Sequence, residues 1–403
     1  MMLRPRAYVR CAVLSAAAVL LAACGGGGGD SGSGTATANG TLRLALTDAP
    51  ACGYDQVNVT IDRIRVHTSA AAQDGDAGWS EMVLSPARRV DLLTLTNGVL
   101  EELGSTSLPA GRYTQMRLVL AADSMPGRMA NSVVPSGGRE TPMETPSGQQ
   151  TGLKMNVNIE VAANQLADFV IDFDACRSVV QAGHSGRHLL KPVLTVMPRV
   201  TTASNAVEGY VAGAIAAGTT SVTLQKDGAV VRGTVPSSNG RFLLSQVPSG
   251  VYDLVVGANG RATAIMTGVP VTGTAITVAN PPTAPFDPPA SAMRTASGKA
   301  VTTGSSVIPD ATVRAMQTLA ATKVEVIGRH VDADTGAYSF SLPIAAPVKS
   351  AYVAGATTLT FSSETASAGK YALEAAVPGK ATQTAGIDLA AGDDTGRTFS
   401  FAP

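Results

Sequence analysis

Residues 57–66 read Val-Asn-Val-Thr-Ile-Asp-Arg-Ile-Arg-Val, and their alternation indicates the fold class. Val57, Val59 and Ile61 share one face of an extended chain while polar side chains occupy the other, which is the period-2 pattern of a half-buried β-strand. The sequence also contains 42 glycines and 23 prolines, a content typical of many short strands joined by turns. We therefore predict an all-β protein built of tandem β-sandwich modules.

The first module is predicted to span residues 41–200. Residues 123–152 show no clear periodicity, so we expect an exposed insertion there. Residues 90–95 fit either a strand or a short helix. The stretches with a strand pattern are 42–46, 57–66, 114–120, 153–161, 168–174 and 189–196.

Several turn segments of this module, in this order, resemble a known family. The segments are Leu46-Thr47-Asp48-Ala49-Pro50, Val90-Asp91-Leu92-Leu93, Leu108-Pro109-Ala110-Gly111-Arg112-Tyr113, Gly152-Leu153-Lys154, Asp172-Phe173-Asp174, Ser178-Val179-Val180 and Leu190-Lys191-Pro192. Together they resemble the domain of unknown function 4382, found in bacterial and archaeal surface-associated proteins and lipoproteins. Because no activity is attached to that family, the resemblance implies a domain boundary more than a function.

The second module is predicted to span residues 206–279. Asn239-Gly240 supplies the positive φ of a tight hairpin turn, and Pro248-Ser249-Gly250 makes the next turn before an alternating strand. This order resembles the carboxypeptidase regulatory-like domain, a small prealbumin-type β-sandwich. The resemblance implies a spacer, a stabilising module or a carbohydrate-binding-like platform.

A proline-rich linker at residues 280–290 is expected to be a semi-rigid, extended spacer. The third module, residues 291–403, repeats the second, with Asp334-Thr335-Gly336 before one strand and Lys370-Tyr371 opening another. We predict a second prealbumin-like sandwich here. The Pro-Ser-Gly turn is missing and residues 345–367 are additional, which leaves a different sandwich topology open.

The first residues of the chain have the layout of an export signal. Three arginines precede the apolar run Cys11–Leu20, which is too short for a membrane-spanning helix of about 20 residues. Leu21-Ala22-Ala23-Cys24 resembles the lipobox of bacterial lipoproteins. The resemblance implies that residues 1–23 are removed as a signal peptide and that Cys24 carries diacylglycerol and anchors the protein to a membrane. The alternative is an ordinary signal peptide with a chance cysteine.

Residues 24–40 are rich in glycine and serine and are expected to be a flexible tether. By the rule for bacterial lipoproteins, Gly25 after the lipidated cysteine implies the outer membrane, where the protein would face the periplasm or the cell surface. Cys52 and Cys176 then remain as the two thiols, and an oxidising compartment favours a disulfide between them. Two separate buried thiols are the alternative.

Candidate metal ligands are few. Asp168, Asp172 and Asp174 occupy alternate positions of a predicted strand and are weak candidates for a calcium site; a solvated face, or a salt bridge to Arg177 or Arg187, is the alternative. His184 and His188 are four residues apart, but the glycines and serine around them favour a loop. Two other histidines, His67 and His330, have no partner nearby in the sequence. Residues 332–336 resemble a calcium loop but lack its distal glutamate, so a turn is expected.

No spacing in the sequence pairs a nucleophile with a general base, and no cofactor motif is present. Charge is balanced at 30 basic and 30 acidic residues, which gives no reason to expect a nucleic-acid partner. We therefore predict a non-enzymatic cell-envelope lipoprotein that presents binding or spacer modules to an envelope protein or a glycan. A carbohydrate- or peptidoglycan-binding lipoprotein is the alternative, although one tryptophan and eight tyrosines give it little support. A metal-dependent enzyme is the third hypothesis.

Overall fold

The computed structural model describes residues 38–48, 53–122, 129–200, 204–216 and 219–403. Residues 38–403 form one compact unit. This unit is all-β, with only short helical turns, which confirms the predicted fold class. The predicted signal peptide, Cys24, the tether up to residue 37 and Cys52 lie outside the described residues. Within those residues no helix is long and apolar enough to cross a membrane.

The first module contains twelve strands and two short α-helices, α1 (Pro146–Gln150) and α2 (Ala175–Ser178). A four-stranded sheet has the order β12-β9-β1-β4, and it packs on a larger sheet with the order β10-β11-β7-β6-β2-β5-β8, in which β3 also pairs with β2. The strands are β1 (Asn39–Asp48), β2 (Tyr54–His67), β3 (Ser80–Asp91), β4 (Glu101–Pro109), β5 (Gly111–Leu120), β6 (Ser132–Pro135), β7 (Thr141–Glu144), β8 (Leu153–Val161), β9 (Leu166–Phe173), β10 (Val179–Ala182), β11 (Arg187–Leu190) and β12 (Leu194–Pro198).

The second and third modules are smaller sandwiches. The second has sheets β16-β13-β19 and β15-β14-β17-β18, and the third has β23-β20-β28 and β22-β21-β26-β27. The strands are β13 (Val207–Tyr210), β14 (Ser221–Lys226), β15 (Ala229–Thr234), β16 (Arg241–Leu244), β17 (Gly250–Gly257), β18 (Ala264–Val271), β19 (Thr277–Val278), β20 (Met293–Thr302), β21 (Thr312–Leu319), β22 (Thr322–His330), β23 (Ala337–Pro343), β24 (Val348–Ala351), β25 (Ser362–Ser363), β26 (Lys370–Ala376), β27 (Gln383–Asp388) and β28 (Asp394–Phe401).

All three modules contain the same seven-stranded arrangement. The seven strands, in chain order, are β1, β2, β3, β4, β5, β8 and β9 in the first module, β13 to β19 in the second, and β20, β21, β22, β23, β26, β27 and β28 in the third. The first of the seven pairs antiparallel with the fourth and parallel with the seventh in every module. The other sheet has the order third, second, fifth, sixth, which is β3-β2-β5-β8 in the first module. The topology that the sequence left open for the third module is therefore that of the second.

A tyrosine marks the same crossing between the two sheets in every module. The hydroxyl of Tyr113 donates to the carbonyl of Pro109 at 3.0 Å, and Tyr252 donates to Pro248 at 2.7 Å. The corresponding pair of the third module is Tyr371 and Pro343. There, residues 344–368 separate the proline from Gly369-Lys370-Tyr371, so the Pro-x-Gly-x-Tyr turn is present but interrupted.

The interrupting segment, residues 344–368, joins the third module to the second. Its strand β24 pairs parallel with β18 of the second module, and β25 pairs with β24. The six-stranded sheet β15-β14-β17-β18-β24-β25 is thus shared by two modules.

Two segment predictions are wrong in part. Residues 123–152 are not simply an exposed insertion, because β6 and β7 join the larger sheet and bury Val133 and Met143. Both strands are only four residues long, too short to show periodicity. Residues 280–290 are not simply a semi-rigid, extended spacer either, because Phe286 is fully buried in the second module and its backbone forms hydrogen bonds of 2.8 Å with the backbones of Tyr210 and Ala212.

Each module has its own apolar core. A fourth, smaller cluster lies between the second and third modules and contains Val255, Ile265, Leu319 and Val324. Burial of these aliphatic side chains contributes to holding the two modules together.

Candidate functional site at the junction of the three modules

A hollow of about 350 Å³ lies where the three modules meet. Its walls come from the start of α2 in the first module, from β14, β15 and β17 in the second, and from β22 in the third. A neighbouring hollow of about 430 Å³ continues between the second and third modules. We call the two together the junction cleft. The residues that line both are Thr219, Ser221, Gly257, Thr263, Val326, Ile327 and Arg329.

Glu325 of β22 joins all three modules at the base of this cleft. Its side chain is only 4% exposed and forms ion pairs with Arg177 of the first module and, at 3.4 Å, with Arg314 of its own module. The side-chain amide of Gln225, from the second module, both donates to and accepts from the backbone of Glu325 at 2.8 Å. The charge-assisted bonds from Arg177 and Arg314 to Glu325 are stronger than neutral hydrogen bonds, and the loss of either partner leaves a buried charge unpaired.

Asp174 lies beside this ion pair and caps α2. Its carboxylate accepts from the backbone N–H of Arg177 at 3.0 Å, and the Arg177 guanidinium is 3.7 Å away. Burial raises the pKa of Asp174 to about 6, although Arg177 opposes this shift. Near neutral pH the carboxylate is therefore ionised at a cost in stability.

The three aspartates that we considered for calcium each bind an arginine. Asp168 pairs with Arg43, and Asp172 pairs with Arg232 of the second module at 3.1 Å. Asp174 pairs with Arg177, one of the two arginines expected from the sequence. Burial raises the pKa of Asp172, and Arg232 opposes the shift. Among the described residues no group of three or more histidines, cysteines or carboxylates is placed to hold a metal ion.

The other arginine expected to pair, Arg187, bonds instead to Glu144 at 3.2 Å and to Asp334 at 3.5 Å. Residues 332–336 form the expected turn, in which the Asp332 carboxylate accepts from the backbone of Thr335 at 2.8 Å. The second carboxylate oxygen of Asp332 accepts from the backbone of Gly183 at 2.8 Å, which adds a further link between the first and third modules.

The three histidines whose side chains the structure describes, His67, His188 and His330, lie in separate surroundings. His188 is buried in β11 with its ring edge-on to Tyr54 at 5.7 Å, and burial lowers its pKa. The side chain of His184 is not among those that the structure describes. His67 donates from Nε2 to the carbonyl of Ala77 at 3.0 Å, accepts at Nδ1 from the backbone N–H of Ser69 at 2.8 Å, and packs on Trp79 with 5.0 Å between ring centroids. His330 lies 3.8 Å from Asp310, and burial lowers its pKa.

Cys176 lines the junction cleft and is disulfide-bonded. Its predicted partner Cys52 lies outside the described residues, so the pairing stays a prediction.

We expect Asp174→Asn to remove part of the pH dependence of stability. Because the pKa of Asp174 is raised in the folded state, folding favours its protonated form. The stability that this group contributes is fully present below the unfolded pKa of about 3.9 and is lost as the pH rises through about 6. The variant should therefore be more stable than the native protein at pH 7.5, by on the order of 2 kcal/mol, and nearly equal to it at about pH 3, below the unfolded value. Asparagine still caps the helix. Urea unfolding at the two pH values measures the difference.

Asp287→Asn is the control, because Asp287 forms an exposed pair with Arg261. It should change the free energy of unfolding by less than about 1 kcal/mol at either pH. Equal slopes of stability against pH for the native protein and Asp174→Asn would contradict the role given to burial.

Comparison with known sequences gives a family match within the first module. Residues 39–192 match the model of a domain of unknown function, DUF4382, in agreement with the resemblance of its turns. No curated protein matches the chain significantly.

Three of the solved structures that the chain matches are the following. The Bacillus anthracis TIE protein is 10% identical, with 91% of this chain and 51% of that protein covered and a TM-score of 0.17. A streptococcal ancillary pilin is 11% identical, with 91% and 99% covered and a TM-score of 0.16. The full-length major pilin SpaD from Corynebacterium diphtheriae is 12% identical, with 90% and 97% covered and a TM-score of 0.17. This chain spans about half the length of the first of these. TM-scores this low carry no argument about function.

Proposed function

We propose that this protein is a non-enzymatic lipoprotein of the cell envelope, in which residues 38–403 act as one rigid, binding-competent body at the end of a flexible tether. The observation that supports a rigid body best is the convergence of Arg177, Gln225 and Glu325, one from each module, on a single buried point. The shared sheet through β18 and β24 supports it further. Modules joined in this way hold a fixed relative orientation, unlike modules on free linkers.

The lipobox sequence and the glycine-rich segment after it support the anchored location. Anchoring at the outer membrane is part of the proposal, with the body facing the periplasm or the cell surface.

The environment of Trp79 weighs against a glycan-binding platform. The guanidinium groups of Arg65 and Arg117 lie over its ring at 4.6 and 4.8 Å, and its indole N–H donates to the carbonyl of Gln73 at 2.9 Å. Aromatic platforms for sugars need an open ring face. We therefore do not place the binding role on this tryptophan.

Labelling with radioactive palmitate and intact-mass spectrometry test the anchor. We expect the native protein to incorporate label, to fractionate with membranes and to have the mass of a chain cut before Cys24 plus a lipid increment. Cys24→Ala should lose the label and the membrane association completely, because the acyl chains are the proposed means of attachment.

Cys11→Ala is the matched control, since Cys11 lies inside the predicted signal peptide and is expected to be removed with it. It should leave the mature mass unchanged. An unlipidated native mass, or membrane association that survives Cys24→Ala, would contradict the lipoprotein proposal.

A further inference from the structure

We propose that the junction cleft binds a small amphipathic anion, meaning an apolar body that carries a single carboxylate or sulfonate group. This inference deepens the proposed function by naming a ligand class. It depends on the binding role of the rigid body and not on the lipid anchor.

The walls of the cleft suit an amphipathic molecule. Val230, Val255, Val326 and Ile327 give it aliphatic surface from two modules. Hydroxyl-bearing residues of the second module line it as well, namely Thr219, Ser221, Thr223 and Thr263. Ligand cavities of a few hundred Å³ with mainly apolar walls and a few polar groups are the common form of small-molecule sites in proteins.

The charges of the cleft favour an anion over a cation. The carboxylates of Asp174 and Glu325 are occupied by Arg177 and Arg314, so neither is free to bind a cation. Arg329 lines both hollows, and within the described part of the chain it forms no hydrogen bond or ion pair through its side chain. Arg329 is exposed, and among the described residues that line the cleft it is a cation whose charge is not already matched.

A second polar group beside the cleft also lacks a partner. Thr263 is 2% exposed and lines both hollows, and its hydroxyl has no hydrogen-bond partner among the described residues. A buried hydroxyl without a partner costs stability, typically about 1 to 3 kcal/mol. The hydroxyl oxygen is closed to solvent, so an anionic oxygen would accept from it only where the ligand displaces the side chains that cover it, with Arg329 at the same wall of the cleft.

Two fluorescent probes with the same ring system test the proposal. 1-Anilinonaphthalene-8-sulfonate is an amphipathic anion, and N-phenyl-1-naphthylamine is its uncharged analogue. Both are titrated into the mature chain, residues 24–403 with Cys24→Ala, which retains the whole compact unit 38–403 and needs no detergent. We expect one molecule of the sulfonate to bind per chain.

Arg329→Gln should weaken binding of the sulfonate about tenfold, the typical effect of losing a charge-assisted hydrogen bond, and should change binding of the neutral probe less than about twofold. Arg139→Gln is the matched control, because Arg139 is exposed, unpaired among the described residues and outside the cleft. It should leave both affinities unchanged. Neither arginine lies in a core, so both variants should keep the native unfolding midpoint.

Thr219→Phe tests the location, since Thr219 is exposed and lines both hollows. The bulkier side chain should weaken both probes at least about tenfold by filling the cleft. The proposal fails if the sulfonate does not bind, if Arg329→Gln leaves its affinity unchanged, or if that variant weakens both probes equally. An unlipidated native protein, or membrane association that survives Cys24→Ala, would overturn the lipoprotein proposal and leave this one standing.

Discussion

Glu325→Ala is expected to lower the free energy of unfolding by about 2 to 4 kcal/mol. The substitution leaves the guanidinium of Arg177 without its strongest partner and removes one of the two partners of Arg314. Breaking a buried ion pair from one side costs more than the pair itself contributes, because the remaining charge stays partly buried. The two arginines are 22% and 30% exposed, so we place the cost somewhat below that of a fully buried pair. Urea unfolding at pH 7.5 measures it.

Two further variants separate charge from packing. Glu325→Gln keeps the shape and some hydrogen bonding, and we expect a smaller loss than with alanine. Glu101→Ala is the control, because Glu101 forms an exposed pair with Arg88 at 3.0 Å, and surface pairs contribute about 1 kcal/mol or less. A Glu325→Ala protein as stable as Glu101→Ala would show that the junction is not held by this carboxylate.

The strands were predictable because burial of one face of a strand produces an alternation of apolar and polar residues in the sequence. Val57, Val59 and Ile61 are all completely buried, and β8 begins and ends at the residues where the alternation of 153–161 begins and ends. Strands were missed where they are short, as β6 and β7 are. They were also missed where a segment packs against another module, as β24 does.

The junction cleft was not predictable, because its residues are far apart along the chain. Arg177 and Glu325 are separated by 148 positions, and Gln225 and Glu325 by 100. No local pattern distinguishes these side chains from ordinary surface charges. The alternation of Asp168 and Asp172 did place both on one strand, but their arginine partners come from β1 and β15, and only the packing of sheets and modules brings these together.

Phe286→Ala is expected to destabilise the protein by about 3 to 5 kcal/mol, the usual cost of removing a fully buried phenylalanine. Phe286 is 0% exposed, and its ring lies 6.5 Å from that of Phe242 in the second core and 5.8 Å from that of Phe361, which belongs to the segment 344–368. One side chain therefore joins the proline-rich segment, the second module and the inserted segment. Thermal or urea unfolding measures the loss, and Phe286→Leu should recover more than half of it because less volume is removed.

Val353→Ala is the control within the inserted segment, since Val353 is 61% exposed and should contribute less than about 0.5 kcal/mol. If residues 280–290 were only a spacer, Phe286→Ala would be as mild as this control. A large loss with Phe286→Ala and a small one with Val353→Ala would instead show that the proline-rich segment is part of the second core. The second and third modules would then be fixed to each other by side-chain packing as well as by the pairing of β18 with β24.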